Sequence, residues 1–246
     1  MTTSPHKISR RLDPNHRLRV GRATVREWMV EFAASIRQAE DELTELDRAI
    51  GDGDHGVNMV RGTKSVLGVI HELQAADLSG QFRAISRAFL SSVGGASGPL
   101  YGAFFLQGSH CVVQKQEISL AELTAVFDAG FSGITQLGKA TVGDKTMVDT
   151  LSAAVQSLRA SCARYDALPH AVALSAEAAR QAAAETAPLI ARKGRASYLG
   201  ERSAGVQDPG ATSAALLVSS LSRVVRPVSP SPSPVFPHPQ PQTANL

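Results

Sequence analysis

Along Val25, Trp28, Phe32, Ile36, Ala39, Leu43 and Leu46 the apolar residues recur at intervals of three and four. That spacing places them on one stripe of an α-helix, and it predicts an amphipathic helix ending near Asp47. The same spacing returns at about residues 57–75, 81–93, 99–114, 119–137, 146–164, 170–192 and 210–225, most of these segments parted by Gly-, Pro- or Asp-rich breaks. Strand-forming sequence is hard to find, because aromatic residues make up only 5% of the chain and alanine is abundant. About eight striped helices can bury their apolar faces only against one another. The expected fold is therefore all-α, an antiparallel helical bundle.

The 246 residues, 43% of them hydrophobic, are enough for a substantial core in a single domain. That domain is expected over residues 23–226. Residues 1–22 hold Lys7, Arg10, Arg11, Arg17, Arg19 and Arg22 with few acids, a composition that reads as a solvated or disordered extension. A basic arm of this kind can also touch nucleic acid or a membrane, although neither is an expected partner. Residues 227–246 contain no Asp, Glu, Lys or Arg and seven prolines, which rules out a helix and leaves a disordered or polyproline-like tail. Cys111 and Cys162 lie in helix-like apolar stretches and suggest no disulfide framework. No apolar leader and no long uninterrupted apolar run is present, so the expected location is the cytoplasm.

The run Asp47-Arg48-Ala49-Ile50-Gly51-Asp52-Gly53-Asp54-His55-Gly56-Val57-Asn58 carries the strongest chemical signal. Three carboxylates fall within eight positions, and the interspersed glycines let the backbone turn tightly enough to aim them at one point. Like charges held that closely repel unless a cation lies among them. Carboxylate oxygens without companion cysteines or paired histidines favour magnesium over zinc. Taken alone, Gly51-Asp52-Gly53-Asp54 reads equally well as a surface turn. His55, Gly56, Val57 and Asn58 fall where the next helix should start, so their amides and the helix dipole are placed to receive a phosphate.

Three further loops are compatible with an anionic ligand. Gly94-Gly95-Ala96-Ser97-Gly98-Pro99 allows close backbone approach and offers the Ser97 hydroxyl, and it also reads as an ordinary glycine-rich connection. Gly138 to Met147 leads into a helix that Asp144 is expected to cap, with Met147 suited either to packing on a flat base or to the core. Arg192 to Ser203 supplies four basic residues able to offset phosphate charge, Arg195 among them, before Asp208-Pro209-Gly210 opens the last helix.

Together the segments Asp47 to Gly56, Gly94 to Gly102, Gly143 to Leu151 and Gly194 to Gly210 resemble the L subunit, or nucleotide-binding domain, of dihydroxyacetone kinases, over about Trp28 to Val225. The resemblance implies a closed barrel of eight antiparallel amphipathic helices with ADP or ATP in the loops at one end. It implies that Asp47, Asp52 and Asp54 hold two magnesium ions. His55, Gly56, Val57, Asn58, Ala96 and Ser97 would contact the nucleotide or its phosphates, Gly138 and Met147 would lie near the base, and Arg195, Asp208, Pro209 and Gly210 would complete the site. The carboxylates then serve as metal ligands, and no side chain is assigned as an acid or base. The implied partners are a K subunit carrying the ketose and a phosphohistidine donor protein of the phosphotransferase system. An ATP-dependent subunit for another small ketose, such as a tetrulose, and a nucleotide-sensing protein that contacts a transcriptional regulator stay open.

Overall fold

The computed structural model describes residues 19–70 and 76–225. Among them are nine α-helices: α1 (Arg22–Gln38), α2 (Glu40–Ile50), α3 (His55–Ile70), α4 (Leu78–Ser92), α5 (Ser97–His110), α6 (Leu120–Gly138), α7 (Met147–Ala163), α8 (Leu168–Glu185) and α9 (Pro209–Val224). A 3-10 segment spans Arg195–Ser203, and two short strands, β1 (Val20–Gly21) and β2 (Glu117–Ile118), pair antiparallel.

Eight of the helices form a ring. α1 packs on α3, and α3, α4, α5, α6, α7, α8 and α9 follow side by side until α9 packs back on α1. α2 lies outside this circuit, against α3, α9 and the 3-10 segment. Because helices linked by short loops alternate in direction, every second loop comes to the same end of the barrel. The loops after α2, α4, α6 and α8 share one end. The loops after α3 and α5 share the other, where Leu78 N donates to Lys115 O at 2.9 Å and Gln114 N to Asp77 Oδ2 at 2.7 Å.

The interior is filled by the stripes that the periodicity identified. Trp28, Phe32, Phe82, Phe89, Tyr101, Phe104, Phe105 and Phe127 are fully buried and meet through stacked and edge-on ring contacts, so two-thirds of the chain's twelve aromatic residues serve this one cluster. Trp28 fastens the closure of the ring, its indole N–H donating across to Leu217 O at 2.8 Å.

Two element boundaries differ from the sequence expectation. The single helix expected from Val25 to Asp47 is two helices that part at Ala39, whose φ of −95° and ψ of 10° leave the helical region. The bend lets α2 lie against the start of α3: a Cβ at Gly56 would collide with Glu40 O and Thr44 Oγ1, so this approach requires glycine. The helix expected at 170–192 stops at Glu185, and residues 188–207 instead form a strap that leads to α9.

Val20 and Gly21, placed by composition in the basic arm, belong to the fold. Val20 is buried and its strand pairs with Glu117–Ile118. Arg22 opens α1, while residues 1–18 of the arm and the proline-rich tail lie outside the described residues. No helix among the described residues is long and apolar enough to cross a membrane.

Candidate functional site

Asp47 stands in the last turn of α2 and reaches across the loop to the start of α3. Its Oδ2 accepts from Asp54 N at 2.8 Å and His55 N at 3.1 Å, which caps α3 with a carboxylate from another helix. Gly51 has no room for a Cβ beside the Asp47 carboxylate, and Gly53 adopts a φ of +75°. The two glycines therefore make possible the fold-back that gathers Asp47, Asp52 and Asp54. One oxygen from each of these residues lies within 4.8 Å of the others. Three hard oxygen donors, with no sulfur or imidazole in the set, fit magnesium. The intrahelical ladder of α3 begins with Asn58 N donating to Asp54 O, so the Gly56 and Val57 amides stand ahead of it at the positive end of the helix.

His55 is buried and links three elements. Its Nδ1 is 3.2 Å from Ser97 Oγ at the start of α5, and its Nε2 is 2.9 Å from Ser213 Oγ in α9. The single Ser213 hydroxyl hydrogen goes to Gly210 O at 3.1 Å, and Tyr101 Oη donates to Ser213 Oγ at 2.9 Å. His55 Nε2 is then also a donor to Ser213, which leaves Nδ1 to accept from Ser97. Burial holds the imidazole below its ordinary pKa against the pull of Asp47 and Asp54, as the neutral tautomer in this chain requires.

The loop before α7 is organised differently from the sequence expectation. Thr146, not Asp144, caps the helix: Thr146 Oγ1 accepts from Val148 N at 3.1 Å, and Asp149 Oδ2 accepts from Thr146 N at 2.8 Å. Asp144 instead closes its own loop, with Oδ2 accepting from Thr141 N at 2.8 Å. An aspartate two residues ahead of the cap sits too early in the chain to reach the first-turn amides. Asp208 does cap α9, accepting from Ala211 N at 2.7 Å. Burial pushes its carboxyl up to about 7, although the Ala211 amide and Lys145 pull the other way.

These elements enclose a cavity of about 160 Å³. The sequence-identified residues Asp47, Asp52, Asp54, His55, Asn58, Ala96, Ser97, Met147, Arg195, Asp208, Pro209 and Gly210 all line it. Arg195, carried by the strap, forms an ion pair with Asp52. A second, largely apolar space of about 230 Å³ adjoins it, sharing Ala96, Leu100, Thr146, Met147, Lys193 and Gly194 and extending to Ile134, Leu137 and Gly138. Gly56 and Val57 line neither space. Gly56 is packed against α2, and the Val57 side chain is 50% exposed on the outer face. Sequence reasoning missed Leu100, Ile134 and Leu137, since apolar residues in a helical stripe carry no mark that separates a slot from a core, whereas Lys193 comes from the basic run already singled out.

The DAK2 domain profile matches residues 49–223, about seven-tenths of the chain. This chain belongs to the DAK2 domain family. Among DAK2 relatives, the ADP-binding subunit DhaL of the PEP-dependent dihydroxyacetone kinase of Escherichia coli is 40% identical over 203 residues, which cover 82% of this chain and 97% of that one. The ADP-binding subunit DhaL of a PTS-dependent dihydroxyacetone kinase from Lactococcus lactis is 41% identical over 202 residues, 82% of this chain and 97% of the relative. The barrel also matches the crystal structure of the dihydroxyacetone kinase from C. freundii in complex with AMP-PNP and Mg2+. The TM-score is 0.62 at 25% identity, and the match covers 91% of this DAK2 chain and 37% of the solved one. The all-α barrel and the family resemblance expected from the sequence are both borne out.

Proposed function

We propose that this chain is the ADP-binding phosphotransferase subunit of a dihydroxyacetone-type kinase. It holds a magnesium adenine nucleotide, passes a phosphoryl group to a ketose carried by a separate K subunit, and is recharged by a phosphohistidine protein of the phosphotransferase system. The observation that carries this reading is one continuous cleft with two chemistries, a three-carboxylate cluster at one end and an apolar slot beneath Met147 at the other. A polyphosphate and a flat base joined by a ribose have that same division. The names of the DhaL relatives, which cover nearly their whole length, support both the nucleotide and the donor.

Within this reading Asp47, Asp52 and Asp54 are metal ligands. Three carboxylate oxygens leave most coordination positions free for phosphate and water, and we assign two magnesium ions to the cluster. Bound magnesium offsets charge on the transferring phosphoryl group. The free Gly56 and Val57 amides hold phosphate oxygens, the Ser97 hydroxyl joins them by turning its one hydrogen away from His55 Nδ1, and Arg195 and Lys193 bring compensating positive charge from the strap. Met147, Leu137 and Ile134 pack on the base, and Gly138 keeps the slot open, since a Cβ there would stand 3.3 Å from Leu100 Cδ2. Fixing both ends of the nucleotide holds the phosphoryl group in line with the incoming hydroxyl.

Calorimetry with ADP in the presence and absence of magnesium tests the site. Asp52→Asn and Asp54→Asn should each weaken magnesium-dependent ADP binding by about a hundredfold, with the helical circular dichroism retained. Unchanged binding in both variants would sink the metal assignment. Transfer of labelled phosphate from this chain to a ketose-loaded K subunit tests the reaction.

A further inference from the structure

The strap at residues 188–207 supplies Lys193, Gly194, Arg195 and Ala196 to the wall of the acidic cavity, yet it has little core of its own. Its buried apolar residues are Ala191 and Ala196, in a small cluster with Ile50 on which Leu199 and Val206 pack half-buried, and buried Ser203 adds one bond within the strap, accepting from Ala191 N at 2.9 Å. Something other than apolar packing must fix its position over the cleft. Lys145 lies at its base, outside the cleft lining, with no exposed surface at all.

The Lys145 backbone holds a left-handed φ of +62°, a conformation that costs a non-glycine residue about 1 kcal/mol or more. That turn directs the side chain inward. Its ammonium donates to Thr186 O at 2.7 Å, to Ala187 O at 3.2 Å and to Val206 O. Thr186 and Ala187, which lead from α8 into the strap, form its first foot and Val206 the second, so the three N–H groups of one ammonium are divided between the entry and the exit of one segment. Each of its donors has an acceptor, as a buried ammonium requires. Burial works against the charge and lowers the pKa of the ammonium, and nearby Asp208 opposes that shift to a lesser extent. Neighbouring bonds repeat the pattern: Gly205 N donates to Ala187 O at 2.8 Å, and Arg192 N donates to Asp144 O, the residue before Lys145, at 3.1 Å.

We propose that Lys145 is a positioning residue for the nucleotide site: by clasping both feet of the 188–207 strap, its ammonium sets where Lys193 and Arg195 stand over the carboxylate cluster. Lys145 acts on the ligand only through the strap. The inference rests on the nucleotide reading for the ligand, but the clasp itself can be judged without any ligand.

Hydrogen exchange on the ligand-free chain and calorimetry with magnesium and ADP test it together. Lys145→Met keeps an unbranched side chain of similar length and removes all three donors. Exchange should rise in residues 188–207 while helices α1 to α9 keep their protection. If the strap is then in place about a tenth of the time, ADP affinity falls about tenfold. Lys145→Arg, which restores donors and charge, should recover much of both. Exchange that is unchanged, or that rises equally through all the helices, overturns the clasp. If Lys145→Met does not fold, the shorter and neutral Lys145→Gln decides by the same measure: exchange raised in the strap above that of the helices supports the clasp, and strap exchange equal to wild type overturns it. If wild-type protein itself binds no ADP, the nucleotide reading fails, and the exchange result still judges Lys145.

Discussion

Asp208 shows how a single residue can serve two opposed demands. It caps α9, which favours a carboxylate at the helix N-terminus, and it lies where burial and the charges of Asp149 and Asp47 favour the neutral acid. Burial is the largest of these effects and raises the carboxyl from its ordinary 3.8 to about 7. A carboxyl raised on folding binds its proton more tightly in the folded state, so it opposes stability increasingly as pH climbs from about 4 to about 7. Metal-free protein should therefore melt at a lower temperature as pH rises through that window. Asp208→Asn retains a capping oxygen and should flatten the dependence, gaining on the order of 1–3 kcal/mol near neutral pH. Thermal melts in chelator at several pH values check this, and a variant that parallels wild type throughout would refute it. The helix start was legible in Asp208-Pro209-Gly210, because Asp followed by Pro is a helix-start signal. The shifted proton affinity was not legible, since it depends on Asp149 and Asp47, which are distant in sequence.

Elements here are set by their ends as much as by their stripes. Ser119 and Glu122 form a reciprocal box at the start of α6: Ser119 N donates to Glu122 Oε2 at 2.7 Å, and Glu122 N donates to Ser119 Oγ at 3.4 Å. Lys115 and the Ser119 amide hold the Glu122 carboxyl down at about 2, below its ordinary 4.5. A carboxyl lowered on folding stabilises the fold above its ordinary pKa, and the contribution fades as pH falls toward the folded value. Glu122→Gln should thus be less stable than wild type near neutral pH, and the gap should close between about pH 4.5 and about 2. Ser119→Ala should cost about 1 kcal/mol in urea unfolding. Seven helices were legible to within a few residues, or within seven at the C-terminal end of α8, where a stripe coincided with a break in composition. The exception is the join at Ala39, where alanine continues the pattern of α1 and no local residue signals a stop. The close contact of Gly56 with Glu40 and Thr44 accounts for the bend, and only the packed structure contains it.

For the whole molecule, the barrel depends on its last seam. Trp28 of α1 is the chain's one tryptophan, and its bond to Leu217 O in α9 joins the first helix to the last. If ring closure is part of a single cooperative transition, tryptophan fluorescence and circular dichroism should follow the same urea curve. Trp28→Ala should lower stability by about 3–5 kcal/mol, since it empties a fully buried site against Phe105 and Phe127. A fluorescence midpoint below the helical one would mean that the seam opens first. The helical class, the stripes that face inward and the three-aspartate loop were legible along the chain, because helix periodicity and the clustering of carboxylates are written in residues close together in sequence. Tertiary structure decided the closure of the ring, the sharing of His55 among three helices, the conversion of an expected helix end into a strap and the clasp of that strap by Lys145. Each of these joins residues that are far apart in sequence, and burial gives their polar groups value only once the partners have met.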